Sequence, residues 1–274
     1  MTTPSDNQGL TEDDRDHIDD LAAPKTKVIY EVVRRQGDEE LNRPPGSLFW
    51  SGIAAGVSMM ASVIAEGALL NGLPADAPGR RLIGDLGYTV GFLIVILGRM
   101  QLFTEQTIVT VLPNMAKPSW GTFRATARLW GIVLVANLIG TSAAAWIGLH
   151  AALTSPDITA SMLAVSSALM RMTPLEILAH GVPAGFIMAS VAWIRAGAGD
   201  GEFWIVLVLT FLIALGDFSH VVAGSAETFL LLFDGRIGVG QAFGGMIGPA
   251  LVGNVIGGTG LFALLAHAQV RQEI

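Results

Sequence analysis

Residues 98–107 read Gly98-Arg99-Met100-Gln101-Leu102-Phe103-Thr104-Glu105-Gln106-Thr107. Residues 215–225 read Leu215-Gly216-Asp217-Phe218-Ser219-His220-Val221-Val222-Ala223-Gly224-Ser225. Each stretch ends an uncharged apolar run too short for a bilayer. Leu86–Gly98 is thirteen residues before Arg99, and Phe203–Gly216 is fourteen before Asp217. Crossing roughly 30 Å of hydrocarbon takes about 20 helical residues. Each run becomes a span only by continuing past its charge, to about Ala116 and Phe233.

Around these interruptions the chain is apolar. Of 274 residues, 51% are hydrophobic and 14% charged, against about a quarter charged in a soluble domain. Residues 1–43 alone hold eleven acids and six Lys/Arg, and most of the net charge of −7 comes from that tail. The remaining chain is too poor in charge for a soluble enzyme, a coiled coil or a disordered protein. No basic stripe points to nucleic acid. The lack of cysteine excludes disulfides and thiolate sites. The acidic N-terminus does not resemble a cleavable leader, so the first span is expected to act as its own insertion signal.

Ser47–Ala65, Leu129–Pro156, Ile177–Ile194 and Ile237–Val270 are uncharged runs long enough to cross. With the two interrupted segments they predict an all-α membrane protein of six spans, over residues 44–271. The first span ends at Glu66 and the turn at Asn71-Gly72-Leu73-Pro74. Placing the N-terminus in the cytoplasm puts eleven Lys/Arg on the inner side and four on the outer, leaving Arg99 within the membrane; this obeys the positive-inside rule. Both termini then face the cytoplasm of a bacterial inner membrane. Spans one to three start inside and four to six start outside, so the breaks in the second and fifth fall at matching places in two inverted repeats. That pattern points to a transporter with its site at the midplane.

The tail, residues 1–43, is expected to be cytoplasmic, with residues 1–20 acidic and mobile. Over about 25–42 the spacing of Val28, Ile29, Val32, Val33 and Gln36 predicts an amphipathic helix against the inner face, with Lys27, Arg34 and Arg35 off the stripe.

At each break a half-helix restarts with free N–H groups toward the midplane, a partly positive place for an anion. Thr104 and Ser219 are suitable N-caps. Arg99, Glu105, Asp217 and Glu227 are predicted within the membrane's depth, where an unpaired charge costs roughly 2.5–3.5 kcal/mol even on the lenient scale. They form a candidate charge network, with Arg99 expected to bridge Glu105 or Asp217. Whether they lock the breaks or touch substrate stays open.

These motifs together resemble the formate/nitrite transporter family. Leu102-Phe103-Thr104 looks like that family's break in the second helix, and Phe218-x-His220 sits where it has a central histidine in the fifth. Pro249 to Gly258 is similar to its closing glycine-rich helix. Trp130 and Asn137-Leu138-Ile139-Gly140 match in the third span, and Glu176, Gly181 and Trp193 keep the spacing of the fourth. The resemblance covers about residues 25–270. It implies an aquaporin-like fold and a homopentamer in the lipid bilayer, each protomer with its own pore, for formate, nitrite, hydrosulfide or lactate and their conjugate acids. No cofactor or metal is implied.

The resemblance places His220, Thr104, Leu102, Phe103, Phe92, Ile213 and Asn254 along the pore. A neutral His220 hydrogen-bonded to Thr104 would pass a proton to an entering anion, which then crosses the apolar constriction as a neutral acid. As plain apolar residues, Phe92, Leu102, Phe103 and Ile213 carry almost no signal of their own. Counted back from Trp193, the family's vestibule lysine falls on Leu169 and a pore asparagine on Gly185, which marks a divergent subgroup. Arg171, two positions from the missing lysine, is a candidate replacement or an ordinary outer charge. Glu176 and His180, four apart, read as a hydrogen-bonded pair before a metal half-site. Gly52/Gly56, Gly244/Gly248 and Gly253/Gly257 permit close helix packing.

Other readings remain. A neutral-solute channel of the aquaporin–glycerol type also joins two half-helices, but it normally carries two Asn-Pro-Ala boxes, absent here. A scaffold or sensor that no longer transports fits the missing lysine. An intramembrane serine hydrolase around Gly224-Ser225 is disfavoured, because Ser225 lies five residues past His220, on another face of a continuous helix.

Overall fold

The computed structural model describes Thr11 and residues 24–273. The rest of the acidic stretch 1–20, expected to be mobile, lies outside the described residues. Every regular element among them is helical. In chain order they are α1 (Thr26–Leu41), α2 (Pro45–Asn71), α3 (Arg80–Leu97), α4 (Phe103–Val109), α5 (Leu112–Ala116) and α6 (Trp120–His150). There follow α7 (Pro156–Ser166), α8 (Pro174–Arg195), α9 (Glu202–Leu215), α10 (Val221–Phe233) and α11 (Gln241–Val270). Four of them, α2, α6, α8 and α11, are long and apolar enough to cross a membrane.

Local chemistry sets their starts. Pro45 opens α2 at a position where its missing N–H costs nothing. The Ser119 hydroxyl accepts the Thr122 N–H at 3.0 Å to begin α6. At α8, Thr173 and Glu176 form a reciprocal capping box, the Thr173 N–H donating to Glu176 at 2.7 Å. That uses Glu176 locally. His180 instead bonds the Asp217 carbonyl oxygen through Nδ1 at 2.9 Å, so the two do not pair as the sequence suggested.

The interruptions are two copies of one turn. After α3, Met100 N–H donates to the Val95 carbonyl at 3.0 Å; after α9, Phe218 N–H donates to Ile213 at 3.0 Å. These are the long bonds of a helix-ending motif that needs a left-handed residue one place earlier. Arg99 (φ 54°) and Asp217 (φ 50°) occupy that place, where glycine would be easier.

The pairing expected of Arg99 is corrected here. Arg99, just past α3, is 60% exposed and bonds Glu202, the first residue of α9, at 2.8 Å. Asp217, just past α9, is 65% exposed and bonds Arg81, in the first turn of α3, at 2.8 Å. The two helices therefore lie antiparallel with an ion pair at each end. At 1.5 Å per residue the eighteen residues of α3 span about 27 Å, so Arg99 and Asp217 sit at opposite ends and cannot meet. Exposed pairs of this kind contribute about 1 kcal/mol at most. Glu105 pairs elsewhere, with Arg195 at 3.1 Å.

Two helix crossings bring backbone against backbone. A Cβ on Gly56 would collide with the Asn137 carbonyl and one on Gly140 with the Ile53 carbonyl, so α2 and α6 touch through glycine. The same holds for α8 and α11, through Gly185 against Asn254 and Gly257 against Val182. Of the glycine pairs read from sequence, Gly56, Gly253 and Gly257 make such contacts, and Gly52 lies against the Ala136 side chain. Gly244 has open space around it, and Gly248 meets only Phe243 of its own helix.

The packed face of α1 is Tyr30, Val33, Gly37 and Leu41, whereas Val28 and Val32 are exposed. The stripe is thus rotated from the one expected. Gly37 lets α1 lie on the Val109 carbonyl at the end of α4, and the Tyr30 hydroxyl reaches His267 Nδ1 at 2.7 Å. On its outer side, hydrogen bonds from Arg34 and then Arg35 hold Glu31 down to about 2. A carboxylate so lowered contributes fully above its ordinary range, near 4.3, and loses that contribution only as pH falls through about 2.

Candidate functional site at the junction of two interrupted helices

The half-helices α4 and α10 are held by matching asparagines. Asn137 Oδ1, from α6, accepts the Phe103 N–H at 3.0 Å, while its Nδ2 donates to the Gly52 and Gln101 carbonyls, each at 2.8 Å. Asn254 Oδ1, from α11, accepts the Val221 N–H at 2.8 Å, and its Nδ2 donates to Ser219 at 2.8 Å and Gly181 at 2.9 Å. Both asparagines are fully buried. The first amide of each half-helix, expected to face the midplane unpaired, is therefore taken. Asn254, expected along the pore, is a fastener of the break and does not line the cavity described below. Each amide side chain uses both its donor hydrogens and its carbonyl oxygen on these neighbours, and its loss would orphan buried backbone groups. Asn254→Ala and Asn137→Ala are each expected to destabilise the assembled protein by about 2–5 kcal/mol, from two or more unsatisfied groups. Thermal unfolding in detergent checks this; unchanged midpoints for both would contradict the fastening role.

The caps also differ from expectation. Leu102 occupies the N-cap of α4 without a side-chain bond, and Thr104 lies inside that helix. At α10 the cap is His220, one residue past Ser219: its Nδ1 accepts the Ala223 N–H at 3.1 Å. The same imidazole places Nε2 at 2.7 Å from Thr104 Oγ1. Because Nδ1 accepts, the neutral ring carries its proton on Nε2 and donates it to Thr104. The Thr104 hydroxyl hydrogen is left to donate to whatever enters. An imidazolium would turn Nδ1–H against the Ala223 N–H and lose the cap, so the neutral form fits the fold.

Phe92 lies edge-on to the imidazole with ring centroids 4.9 Å apart. Phe92, Leu102 and Phe103 are buried, the last two directly preceding Thr104 in the chain, and Phe103 packs on Trp130 at 5.5 Å. On the other side a cavity of about 670 Å³ reaches His220. At about 30 Å³ per water it has room for many waters, and it forms a vestibule to the His220–Thr104 pair. Ile213, Glu227, Leu169 and Arg171 line it, together with Ser219. Gly185 does not; its α-carbon faces the Asn254 backbone, leaving no room for a side chain. The asparagine counted onto it from Trp193 thus has no counterpart in the vestibule at that position.

Glu105 is the one predicted network member locked in the interior. It is 8% exposed, and the oxygen facing Arg195 has no aligned hydrogen bond, so ionic attraction alone holds it. Arg195 also donates to the Ile96 carbonyl at 3.1 Å, tying the end of α8 to both sides of the first break. Glu202, Arg81 and Arg195 were missed as partners because each lies on a helix distant in sequence from the charge it meets. Among the described residues no three His, Cys, Asp or Glu side chains converge as metal ligands.

A sequence profile described as Formate/nitrite transporter matches residues 27–268. The chain belongs to the formate/nitrite transporter family. It is a membrane transporter by that membership, which sets aside the serine-hydrolase reading. Inner membrane protein YfdC of Escherichia coli (strain K12) is 38% identical over 256 residues, 93% of this chain and 82% of that protein. Uncharacterized transporter YrhG of Bacillus subtilis (strain 168) is 26% identical over 259 residues, covering 90% and 95%. Among solved structures, a pentameric formate channel with formate bound superposes with a TM-score of 0.70 at 18% identity, covering 83% of this chain and 98% of that one. An FNT family ion channel gives 0.71 at 17%, covering 89% and 98%. The all-helical fold of this family member is thus the one those channels have.

Proposed function

We propose that this transporter carries small monovalent anions such as formate or nitrite, or the weak acids they form, across a bacterial inner membrane. The observation that carries the reading is the 2.7 Å contact between Thr104 of one half-helix and His220 of the other, at the end of a cavity large enough for water. The entering anion accepts a hydrogen bond from Thr104, which His220 backs through Nε2–H. Beyond it Phe92, Leu102 and Phe103 offer nothing to solvate a charge, so the species that passes is the neutral acid, formed when the anion takes a proton from the solution on the cavity side. Passage is passive or proton-linked.

The same reading takes α2, α3 with α4–α5, α6, α8, α9 with α10, and α11 as six spans in two inverted repeats. The matched turns at Arg99 and Asp217 and the matched asparagines support it. Residues 44–271 form this domain, residues 1–43 are its cytoplasmic tail, both termini face the cytoplasm, and the protein assembles as a homopentamer. Cysteines replacing Asp76 and Asp234 are expected to react with an impermeant thiol reagent from outside, and one replacing Lys117 is not. The reverse pattern would overturn the orientation.

Uptake by proteoliposomes, compared for formate, nitrite, hydrosulfide and glycerol, tests the substrate class. The acids are expected to enter faster than in empty liposomes, and glycerol is not. Glycerol entering alone would favour the neutral-solute channel; no uptake of any solute would favour a scaffold or sensor.

A further inference from the structure

The chain around the second break spends its polar groups on the protein itself. The Phe218 N–H donates to the Ile213 carbonyl at 3.0 Å, and the Ser219 N–H donates to the His180 carbonyl at 3.2 Å. The Ser219 carbonyl accepts Asn254 Nδ2 at 2.8 Å, and the Val221 N–H donates to Asn254 Oδ1 at the same distance. The Asp217 carbonyl takes His180 Nδ1, and the Asp217 carboxylate takes Arg81. His220 uses both ring nitrogens, one on Ala223 and one on Thr104.

One group is left over. Ser219 is only 8% exposed, and its Oγ has no hydrogen-bond partner among the described residues. The fold does not need this hydroxyl as a cap, because His220 caps α10. A buried hydroxyl without a partner is a cost that native structures seldom leave uncompensated. Ser219 also lines the cavity, beside His220. Its main chain is pinned on both sides, by His180 and by Asn254. Only its side chain is free to turn among three staggered positions, and that turn lets the hydroxyl meet an acceptor in the cavity.

We propose that the Ser219 hydroxyl is a substrate subsite at the His220 end of the vestibule, donating a hydrogen bond to an oxygen of the anion or acid that arrives there. This rests on the transport reading above and narrows its substrate class. Sulfur is a weak acceptor, so hydrosulfide gains little from this hydroxyl, whereas formate and nitrite gain a full hydrogen bond. Ser219 therefore selects small oxygen acids. It acts on the cavity side, before Thr104 takes the substrate at the junction.

Ser219→Ala removes the hydroxyl and leaves the main-chain bonds to His180 and Asn254 in place. Titration of the assembled protein in detergent with isotope-labelled formate, read by broadening of the formate resonance, gives a dissociation constant. Ser219→Ala is expected to bind formate about tenfold more weakly than the parent, for the loss of one hydrogen bond to a charged acceptor. Equal constants, or no binding by the parent, overturn the proposal. In proteoliposomes the alanine variant is expected to raise KM for formate while the maximal rate holds, because the hydroxyl acts before the junction. At low concentration its ratio of formate to hydrosulfide uptake is expected to fall about tenfold against the parent. Uptake of the two falling together overturns the proposal, since lost packing and not a lost hydrogen bond would then be the cause. A parent that takes up neither overturns the transport reading, and the formate dissociation constants then decide the subsite by themselves.

Discussion

His220→Asn is expected to cut weak-acid flux at least about tenfold while leaving the assembled protein stable. Asparagine is a good N-cap, so its side-chain oxygen can keep the Ala223 N–H that His220 Nδ1 now accepts. What it cannot do is reach Thr104, which the imidazole bonds through Nε2 at 2.7 Å. Thr104 then loses the group that fixes its hydroxyl hydrogen toward the anion. A hydrogen bond to a charged group is worth about 1.5–3 kcal/mol, and 1.36 kcal/mol is tenfold in rate. His220→Phe removes the cap as well, so flux is expected to disappear with a further loss of about 1 kcal/mol of stability. Uptake measured on preparations checked for assembly separates the two effects. Undiminished pH-dependent uptake by the asparagine variant would take the histidine out of the mechanism.

Arg195→Met is expected to have the largest effect on stability, about 3–5 kcal/mol. Arg195 and Glu105 expose 13% and 8% of their side chains and lie 3.1 Å apart. Removing the cation strands a carboxylate in the interior, and it also frees the Ile96 carbonyl at the last turn of α3. Adding Glu105→Gln should recover most of the loss, because the buried group is then neutral. Thermal unfolding of the oligomer in detergent reads both variants. A double variant as unstable as the single would mean that Arg195 acts through Ile96 or packing and not through the pair.

The interruptions at Arg99 and Asp217 were legible because charge and a shortened apolar run coincide at both. Their depth was not. Counting uncharged residues stops α3 short at Leu86, whereas the helix starts at Arg80 and carries Arg81 and Asp85 in its first turns. With that extra length the break reaches the far end of α9, and Arg99 meets Glu202 in place of an interior acid. No local pattern encodes such a pairing, since it depends on two helices lying antiparallel. The same holds for Asn137 and Asn254, which read in sequence as motif residues; their work at the breaks follows from crossings that glycine allows at Gly56 and Gly185. His220 and Thr104 were legible as a pair, because each sits where a half-helix restarts. The cap was misplaced by one residue, as serine is the commoner cap and histidine a rare one. The stripe on α1 was misjudged for a similar reason. Tyr30 and Gly37 carry the packed face through a hydroxyl bond and a bare backbone contact, which a hydrophobic pattern does not record.

The most direct test is the initial rate of formate uptake by liposomes holding the purified parent protein, at an acidic and at a neutral external pH, beside liposomes without protein. The rate is expected to exceed that of empty liposomes at both and to be faster at the acidic pH, because the neutral acid is the form that passes the His220–Thr104 junction. A rate equal to that of empty liposomes, or one indifferent to external pH, would contradict it.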